Sequence, residues 1–299
     1  MEQITLKSLY DQHPIYTTLY EIENAKGIVQ IVHGMKEHQH RYQNFANFLN
    51  EQGFIVMTSD FRGHGRNALL LGHMEGKKPW EALVMDQVTI SKELKNRYPN
   101  LNLYLFAHSM GTIVSRNLIQ KHADLYTKVI LSGVPAYQKA TFCGIFMANL
   151  IGFFKNDTHV SKFLTNLTDA QFSKSVKNPK TPVDWLSFNE ENVSNYLMDP
   201  YCNIPFSVSA YKALYHLVWG MHKKNRYQVN DPSKPILLLV GKQDPCPLGQ
   251  KGLADSIKTL EKAGYKNVGH KVYDGMRHEI LNEENHQLVY DDVLAFLNQ

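Results

Sequence analysis

The sequence predicts an α/β fold built on a mostly parallel central sheet that is flanked by helices. Short apolar runs of the kind found in buried parallel strands recur along the chain, and most are separated by stretches with helical periodicity. Near the first residue, two segments of alternating polar and apolar residues predict an antiparallel hairpin at one sheet edge. Together these observations favour a sheet with helices on both faces.

The predicted elements can be placed along the chain. The hairpin strands are expected over residues 4–10 and 15–22. Amphipathic helices are expected over residues 80–97 and 283–297, because apolar side chains recur there on one helical stripe. The buried strands are expected over residues 27–32, 54–57, 101–106, 128–131, 235–240 and 268–273.

The alternation of strands and helices stops between about residues 135 and 226, where the sequence is helical, aromatic and loop-rich. We therefore expect a core formed by residues 1–134 and 227–299, with residues 135–226 inserted as a helical cap. Open α/β sheets bind ligands at the carboxyl ends of their strands, so an insertion at that edge would cover the site.

Composition and charge exclude several classes of protein. A chain of 299 residues that is 43% hydrophobic can bury a full core, and its net charge of +4 comes from scattered residues, so no nucleic-acid partner is expected. Cys143, Cys202 and Cys246 are too widely spaced for a disulfide framework, which favours a reducing compartment. The polar first residues predict no secretion signal, so we expect a cytoplasmic protein.

The pentapeptide Ala-His-Ser-Met-Gly at residues 107–111 carries the first chemical signal. It lies between a predicted strand and a helical stretch at residues 112–122. A strand that turns sharply into a helix needs small residues around its apex, and such a turn exposes the serine in a strained conformation. Ser109 is therefore the candidate nucleophile, although a tight connection with an incidental serine is the alternative.

A serine hydroxyl needs a base to take its proton and an acid to orient that base. In a nucleophile-elbow fold these follow the serine in the order acid, then histidine. Asp244 comes directly after the best-formed late strand, and His278 lies in the last strand-to-helix loop. Asp274 competes as the acid, but it shares a tight turn with His278, whereas the base needs a partner from a neighbouring loop.

The same chemistry requires two donors for the oxyanion of the tetrahedral intermediate. The backbone N–H of Met110 follows the nucleophile, and the N–H of Met35 lies in the loop after the first buried strand. That loop also contains His33, Glu37 and further histidines, but it lacks the convergent ligand spacing of a metal site, so no metal is expected.

With these residues in place, the chain resembles the monoacylglycerol lipase and lysophospholipase branch of the α/β-hydrolases. The resemblance implies a serine hydrolase that cleaves a carboxylic ester through an acyl-enzyme, without a cofactor, beneath a mobile cap. Two positions depart from the family pattern, namely Ala107, where glycine is more typical, and Lys36, which replaces a small residue in the oxyanion loop. The matching stretches are HGMKEHQHRY at 33–42, DFRGHG at 60–65, AHSMG at 107–111, GKQD at 241–244, GMRHE at 275–279, DWLS at 184–187 and DPYC at 199–202.

The leading hypothesis is an esterase or lipase that acts on small acyl esters of the monoacylglycerol or lysophospholipid type. Amide or peptide hydrolysis is a second reading, which requires carboxylates for a substrate amine, and the cap acids Glu190 and Glu191 are not obviously placed for that. A third is a catalytically silent binding protein on the same fold, against which the intact set of acid, base and nucleophile argues.

The apolar stretch at residues 142–154 is expected to belong to the cap and to guide the acyl chain. It is shorter than the roughly 20 residues that cross a bilayer, and a buried core helix is the alternative. The cap is also a candidate for transient contact with a membrane surface. The expected substrate-binding residues are Phe142, Ile145, Phe146 and Ile151.

Overall fold

The computed structural model describes the backbone of residues 1–299 and every side chain except those of residues 170 and 171. Eight strands form one sheet in the order β1-β2-β4-β3-β5-β6-β7-β8. Strands β1 and β2 form the predicted antiparallel hairpin at one edge, β2 is also antiparallel to β4, and all later pairs are parallel. The strands are Glu2–Lys7 (β1), Pro14–Tyr20 (β2), Gly27–Val32 (β3), Phe54–Ser59 (β4), Leu103–His108 (β5), Lys128–Ser132 (β6), Ile236–Gly241 (β7) and Val268–Tyr273 (β8).

Helices cover both faces of this sheet. Along β3 the side chains alternate, so that Ile28 and Val32 join one buried cluster while Val29 and Ile31 join the other. The fold class expected from the sequence is therefore confirmed. The helices are Gln43–Glu51 (α1), Pro79–Arg97 (α2), Met110–His122 (α3), Thr141–Lys155 (α4), Lys162–Ser173 (α5), Glu190–Met198 (α6), Val208–Met221 (α7), Gly249–Ala263 (α8) and Gln287–Asn298 (α9).

One predicted helix boundary is wrong by a full turn. Helix α9 begins at Gln287 and not at residue 283. The buried Glu283 carboxylate instead binds two segments that lie outside this helix. It accepts hydrogen bonds from the Arg277 N–H at 2.8 Å and from the Ser187 hydroxyl at 2.8 Å. Glu283 thereby joins the loop after β8 to the inserted segment, which helical periodicity alone could not indicate.

The inserted segment lies between β6 and β7 and contributes helices α4 to α7 but no strand to the sheet. Helix α7 packs against α4 on one side and against α2 and α3 on the other. The structure therefore places α7 between the outer helices of the segment and the helical layer of the core. None of the helices described is long and apolar enough to span a membrane.

Candidate active site

Ser109 sits at a sharp turn between β5 and α3. Its backbone angles are φ 52° and ψ −119°, a region that costs free energy for a residue with a side chain. The conformation is held from both sides, because the Ser109 N–H donates to the Ser132 carbonyl at 2.9 Å and Thr112 donates to the Ser109 carbonyl at 2.9 Å. The turn points the Ser109 hydroxyl away from the sheet, as a nucleophile elbow requires.

The structure brings the predicted serine, histidine and acid together. The Ser109 hydroxyl donates to His278 Nε2 at 2.8 Å, and His278 Nδ1 donates to Asp244 Oδ2 at 2.9 Å. The second carboxylate oxygen of Asp244 accepts the Cys246 backbone N–H at 2.8 Å. Asp244 is thereby fixed on the loop after β7 and orients His278 toward Ser109.

The charges around His278 suit a general base. Burial opposes the charged imidazolium, but the Asp244 carboxylate outweighs burial and raises the pKa of His278 above its ordinary value. Asp274, the competing acid, is 80% exposed and pairs with Lys242 at 2.6 Å on the surface. Its carboxylate therefore points away from the imidazole that Asp244 holds.

The loop after β3 is braced from several sides. The Gly34 N–H donates to Glu37 at 2.6 Å, and His33 Nε2 accepts the Phe61 N–H at 2.9 Å. Between these fixed points, the Met35 N–H has no acceptor among the residues that the structure describes, and the same holds for the Met110 N–H at the start of α3. Both residues line the cavity at Ser109, so both N–H groups are available to an oxyanion.

An apolar cavity of about 150 Å³ opens on one side of Ser109. The core contributes Met110 and Ile113 to its wall, and the inserted segment contributes most of its other apolar side chains. An acyl chain can be buried here, because most of the exposed cavity wall is hydrocarbon. The wall also includes Met35, Gly144, Leu167, Phe172, Trp185, Leu214, Tyr215, Val218 and Cys246.

A second cavity of about 230 Å³ also borders Ser109, and we call it the polar cavity because its lining carries the charged side chains, although Pro182, Val183 and Leu186 line it as well. His278 lines this polar cavity and not the apolar one, although Ser109, Met35, Phe172 and Trp185 line both. The nucleophile therefore stands at the junction of two chemically different spaces. The other lining residues include Lys36, Glu37, His108, Thr165, Asp169, Tyr196, Asn203 and Glu279.

Comparison with known proteins agrees with this geometry. The family model described as "Serine aminopeptidase, S33" matches residues 23–285. The chain belongs to this family. The α/β-hydrolase resemblance predicted from the sequence motifs is thereby confirmed.

Individual relatives of this family member are distant but extensive. The monoacylglycerol lipase of Mycolicibacterium smegmatis is 24% identical over 92% of this chain and 89% of its own length. The structure of a thermostable carboxyl esterase from Bacillus coagulans superposes with a TM-score of 0.89 at 27% identity, covering 99% of this chain and 97% of that one. The structure of a monoacylglycerol lipase from Paleococcus ferrophilus superposes with a TM-score of 0.72 at 23% identity, covering 95% and 98%.

A buried ionic network supports the loop after β3 in this α/β-hydrolase. Arg41 donates to Glu279 at 2.6 and 2.7 Å and to Glu37 at 3.0 Å, and the Tyr42 hydroxyl donates to Glu37 at 2.8 Å. Burial disfavours the charged form of Glu279, but Arg41 outweighs it and lowers the pKa of that carboxyl to about 2. This network could not be predicted from the sequence, since Arg41 and Glu279 are 238 residues apart.

The four predicted substrate-binding residues do not line the apolar cavity. On α4 the cavity wall is formed by Thr141 and Gly144. Phe142 and Phe146 are 68% and 62% exposed, whereas Ile145 and Ile151 are half-buried against the core. Successive helical residues are separated by about 100°, so a helix that presents Gly144 to the cavity turns Phe142 and Phe146 outward.

Among the side chains that the structure describes, two clusters each bring three atoms that could bind a metal within 4.8 Å of one another. One comprises Asp244, Cys246 and His278. Here both ring nitrogens of His278 are already hydrogen-bonded, one to Asp244 and the other to Ser109. The other comprises His38, Asp199 and Cys202. Here His38 Nε2 already pairs with Asp199 at 2.7 Å, and burial raises the pKa of the Cys202 thiol, which keeps it protonated.

Proposed function

We propose that this protein is a serine hydrolase that cleaves carboxylic esters of the monoacylglycerol or lysophospholipid type through an acyl-enzyme on Ser109. The observation that carries the proposal is the unbroken hydrogen-bonded chain from Ser109 through His278 to Asp244, placed where an apolar and a polar cavity meet. An ester with an apolar acyl chain and a polar alcohol matches that junction. The named relatives, lipases and esterases, support the same reaction class.

The geometry supports a two-step reaction. His278 takes the proton of Ser109 as the oxygen attacks the ester carbonyl, and Asp244 stabilises the imidazolium that forms. The Met35 and Met110 N–H groups donate hydrogen bonds to the developing oxyanion. The imidazolium then returns its proton to the leaving alcohol, and a water molecule activated by the same His278 releases the acid from Ser109.

The position of His278 supports a separate role for each cavity. The leaving alcohol needs the proton of His278, and only the polar cavity has His278 in its wall. The alcohol therefore occupies the polar cavity and the acyl chain the apolar one. Each methylene buried there would contribute about 0.8 kcal/mol, so kcat/KM should rise with chain length until the space is full.

The first test uses a fluorophosphonate probe, which phosphonylates activated serines. Wild-type protein should be labelled and should hydrolyse a series of acyl esters, whereas Ser109→Ala should lose both properties and keep the wild-type melting temperature. Full labelling of Ser109→Ala would refute the assignment of the nucleophile.

A second test locates the acyl chain. Val218 lines the apolar cavity, so Val218→Phe should fill part of it and lower kcat/KM for long acyl esters more than for acetyl esters. Phe146→Ser, on the exposed side of the insertion, is the matched control and should change neither. If the control shows the chain-length effect and Val218→Phe does not, the acyl chain lies elsewhere.

We also propose that α4 touches lipid surfaces through its outward face. Phe142, Phe146 and Leu150 recur at helical spacing and are exposed, and Phe153 and Phe154 at its end are 84% and 72% exposed. Co-sedimentation with lipid vesicles should fall when Phe153 and Phe154 are both changed to Ser. Equal binding of that variant and the wild type would argue against this contact.

We also propose that the protein is cytoplasmic, and its cysteines support this location. Cys143, Cys202 and Cys246 are all free thiols. Fractionation of the host cells, with the protein detected by antibody, tests this location.

A further inference from the structure

A third cavity, of about 350 Å³, is formed by the inserted segment and the loop after β8 and does not include Ser109. Residues from 176–188, from helix α6 and Arg277 line it, and it shares no lining residue with the apolar or the polar cavity. Its volume lies within the range of about 300–1,000 Å³ that is typical of small-molecule sites. We call it the outer cavity.

A thin wall separates the outer cavity from the catalytic residues. Asp184 and Ser187 line the outer cavity, whereas Trp185 between them lines the polar cavity. In the same way, Arg277 lines the outer cavity and the next residue, His278, lines the polar one. The centres of the Trp185 and His278 rings are 5.0 Å apart. A ligand in the outer cavity would therefore lie against a segment that contacts the catalytic base.

Arg277 is built into this wall and keeps part of its guanidinium free. Its Nη1 donates to the Asp184 carbonyl at 2.6 Å and to the Ser187 carbonyl at 3.1 Å. The guanidinium also stacks on Phe188, 3.9 Å from the centre of the ring. Its Nε and Nη2 have no acceptor among the residues that the structure describes. A guanidinium with free donors on a fixed side chain is suited to bind a carboxylate.

The carboxylates of the outer cavity are already engaged. Glu190 pairs with Lys180, and the Asp184 carboxylate accepts the backbone N–H of Lys180 at 2.6 Å. Lys177, in contrast, forms no ion pair within the described part of the chain. Two cations of this cavity, Lys177 and Arg277, are therefore available to an anion.

The outer cavity also has an apolar part. Phe188 and Leu197 line it and are 45% and 40% exposed. A ligand that covers these side chains removes apolar surface from water, which is favourable. A small inorganic anion would leave that surface exposed, so the lining suits a molecule with an anionic end and an apolar chain.

We propose that the outer cavity binds a carboxylate that carries an apolar chain. Lys177 and Arg277 hold the carboxylate, Phe188 and Leu197 cover the chain, and the wall transmits the binding to Trp185. The acid that the proposed ester hydrolysis releases is such a molecule, so its identification as the natural ligand rests on the proposed function, whereas the binding site does not.

The test measures the binding of dodecanoate, below its critical micelle concentration, by titration calorimetry. A fatty carboxylate can also enter the apolar cavity, so Ser109 is first phosphonylated with a long-alkyl fluorophosphonate that fills this space. Dodecanoate should still bind to the phosphonylated protein. Acetate, which lacks the chain, and dodecanol, which lacks the charge, should bind at least about tenfold more weakly. Tryptophan fluorescence should change in the same titration, and Trp185→Phe should lose this signal.

Two lysine variants locate the bound carboxylate. Lys177→Glu reverses one of the two available cations and leaves the contacts of Arg277 in place, so it should weaken dodecanoate binding about fivefold or more. Lys174→Glu is the matched control, because Lys174 is an exposed lysine three residues earlier that does not line the outer cavity. It should bind dodecanoate as the wild type does.

Two outcomes would overturn the proposed site. They are the absence of dodecanoate binding to the phosphonylated protein, and equal affinities of Lys177→Glu and Lys174→Glu. Binding without a change in Trp185 fluorescence would overturn the link to the active site. Failure of the proposed function would be seen separately, as wild-type protein that the fluorophosphonate does not label. The two lysine variants would then be compared in unlabelled protein, where their difference still decides whether the outer cavity binds.

Discussion

The nucleophile turn leaves no room for a side chain at Gly111, and this allows a quantitative test of the site. A Cβ atom built there would lie 2.4 Å from the Val32 carbonyl oxygen and 2.6 Å from the His33 carbonyl oxygen. Both obstacles are backbone atoms at the end of β3, so no side chain can rotate out of the way. To reach the 3.0 Å that Cβ contacts require, α3 and β3 must separate by at least about 0.6 Å in Gly111→Ala.

That separation acts directly on the oxyanion site. The Met110 N–H lies at the start of α3 and the Met35 N–H follows β3, so the two donors move apart together with the elements that carry them. A misplacement of about 1 Å can cost about 100-fold in rate, and overpacking costs about 1–3 kcal/mol of stability. Scaled to a separation of about 0.6 Å, that rule gives a loss of about 15-fold, so we expect Gly111→Ala to lower kcat by about 15- to 100-fold and the free energy of unfolding by about 1–3 kcal/mol.

Steady-state hydrolysis of a short acyl ester and urea denaturation measure these two effects. Gly269→Ala in β8 is the matched control, because a Cβ there meets only the Leu237 side chain at 3.7 Å. It should leave both quantities near their wild-type values. If Gly111→Ala behaved like Gly269→Ala, the close approach of α3 to β3 would not be what sets the oxyanion geometry.

Three further predictions concern the base, the acid and the nearest thiol. Because Asp244 raises the pKa of His278 and only the neutral imidazole can act as base, kcat/KM should rise with pH through a pKa above about 6.5, and Asp244→Asn should move this rise to lower pH. Asp244→Asn should lower kcat by about 10⁴-fold, whereas Asp274→Asn should be close to wild type; reversed phenotypes would show that the acid is misassigned. Cys246 is buried with a raised thiol pKa, so a maleimide should label the exposed Cys143 first and inactivate slowly, and Cys246→Ser should resist this inactivation. Rapid inactivation of both proteins would place the sensitive thiol elsewhere.

The local sequence around Ser109 was sufficient to predict the turn that the structure shows. The apolar strand, the small residues at the apex and the start of the helix lie within a few residues of one another, so the turn depends on the local sequence. The positions of Asp244 and His278 followed from a second local rule, that catalytic loops come after strands of a parallel sheet. The choice of Asp244 over Asp274 agrees with the structure because β7 and β8 pair in parallel, which sets their following loops side by side.

The cap was predicted less well, and the reason is physical. Periodicity shows that α4 is helical and apolar, but which side faces the cavity depends on how neighbouring helices pack. Gly144 lies against the Tyr215 ring of α7, where a Cβ would come within 3.0 Å, and this close approach turns Phe142 and Phe146 outward. The expectation that these phenylalanines contact substrate rested on the hydrophobicity of the stretch and on its place in the insertion, and neither of these determines the rotation of the helix.

The sequence by itself therefore determined the fold class, the nucleophile turn and the order of acid and base, because each depends on short-range patterns and on the fixed geometry of parallel sheets. Only the tertiary structure decided the two cavities and the groups that line them. Lys36 and Asp169 are 133 residues apart, and their pairing depends on how α5 lies over the loop after β3. Such long-range contacts decide the lining of a pocket, since a pocket is the space left between elements and is encoded in none of them singly.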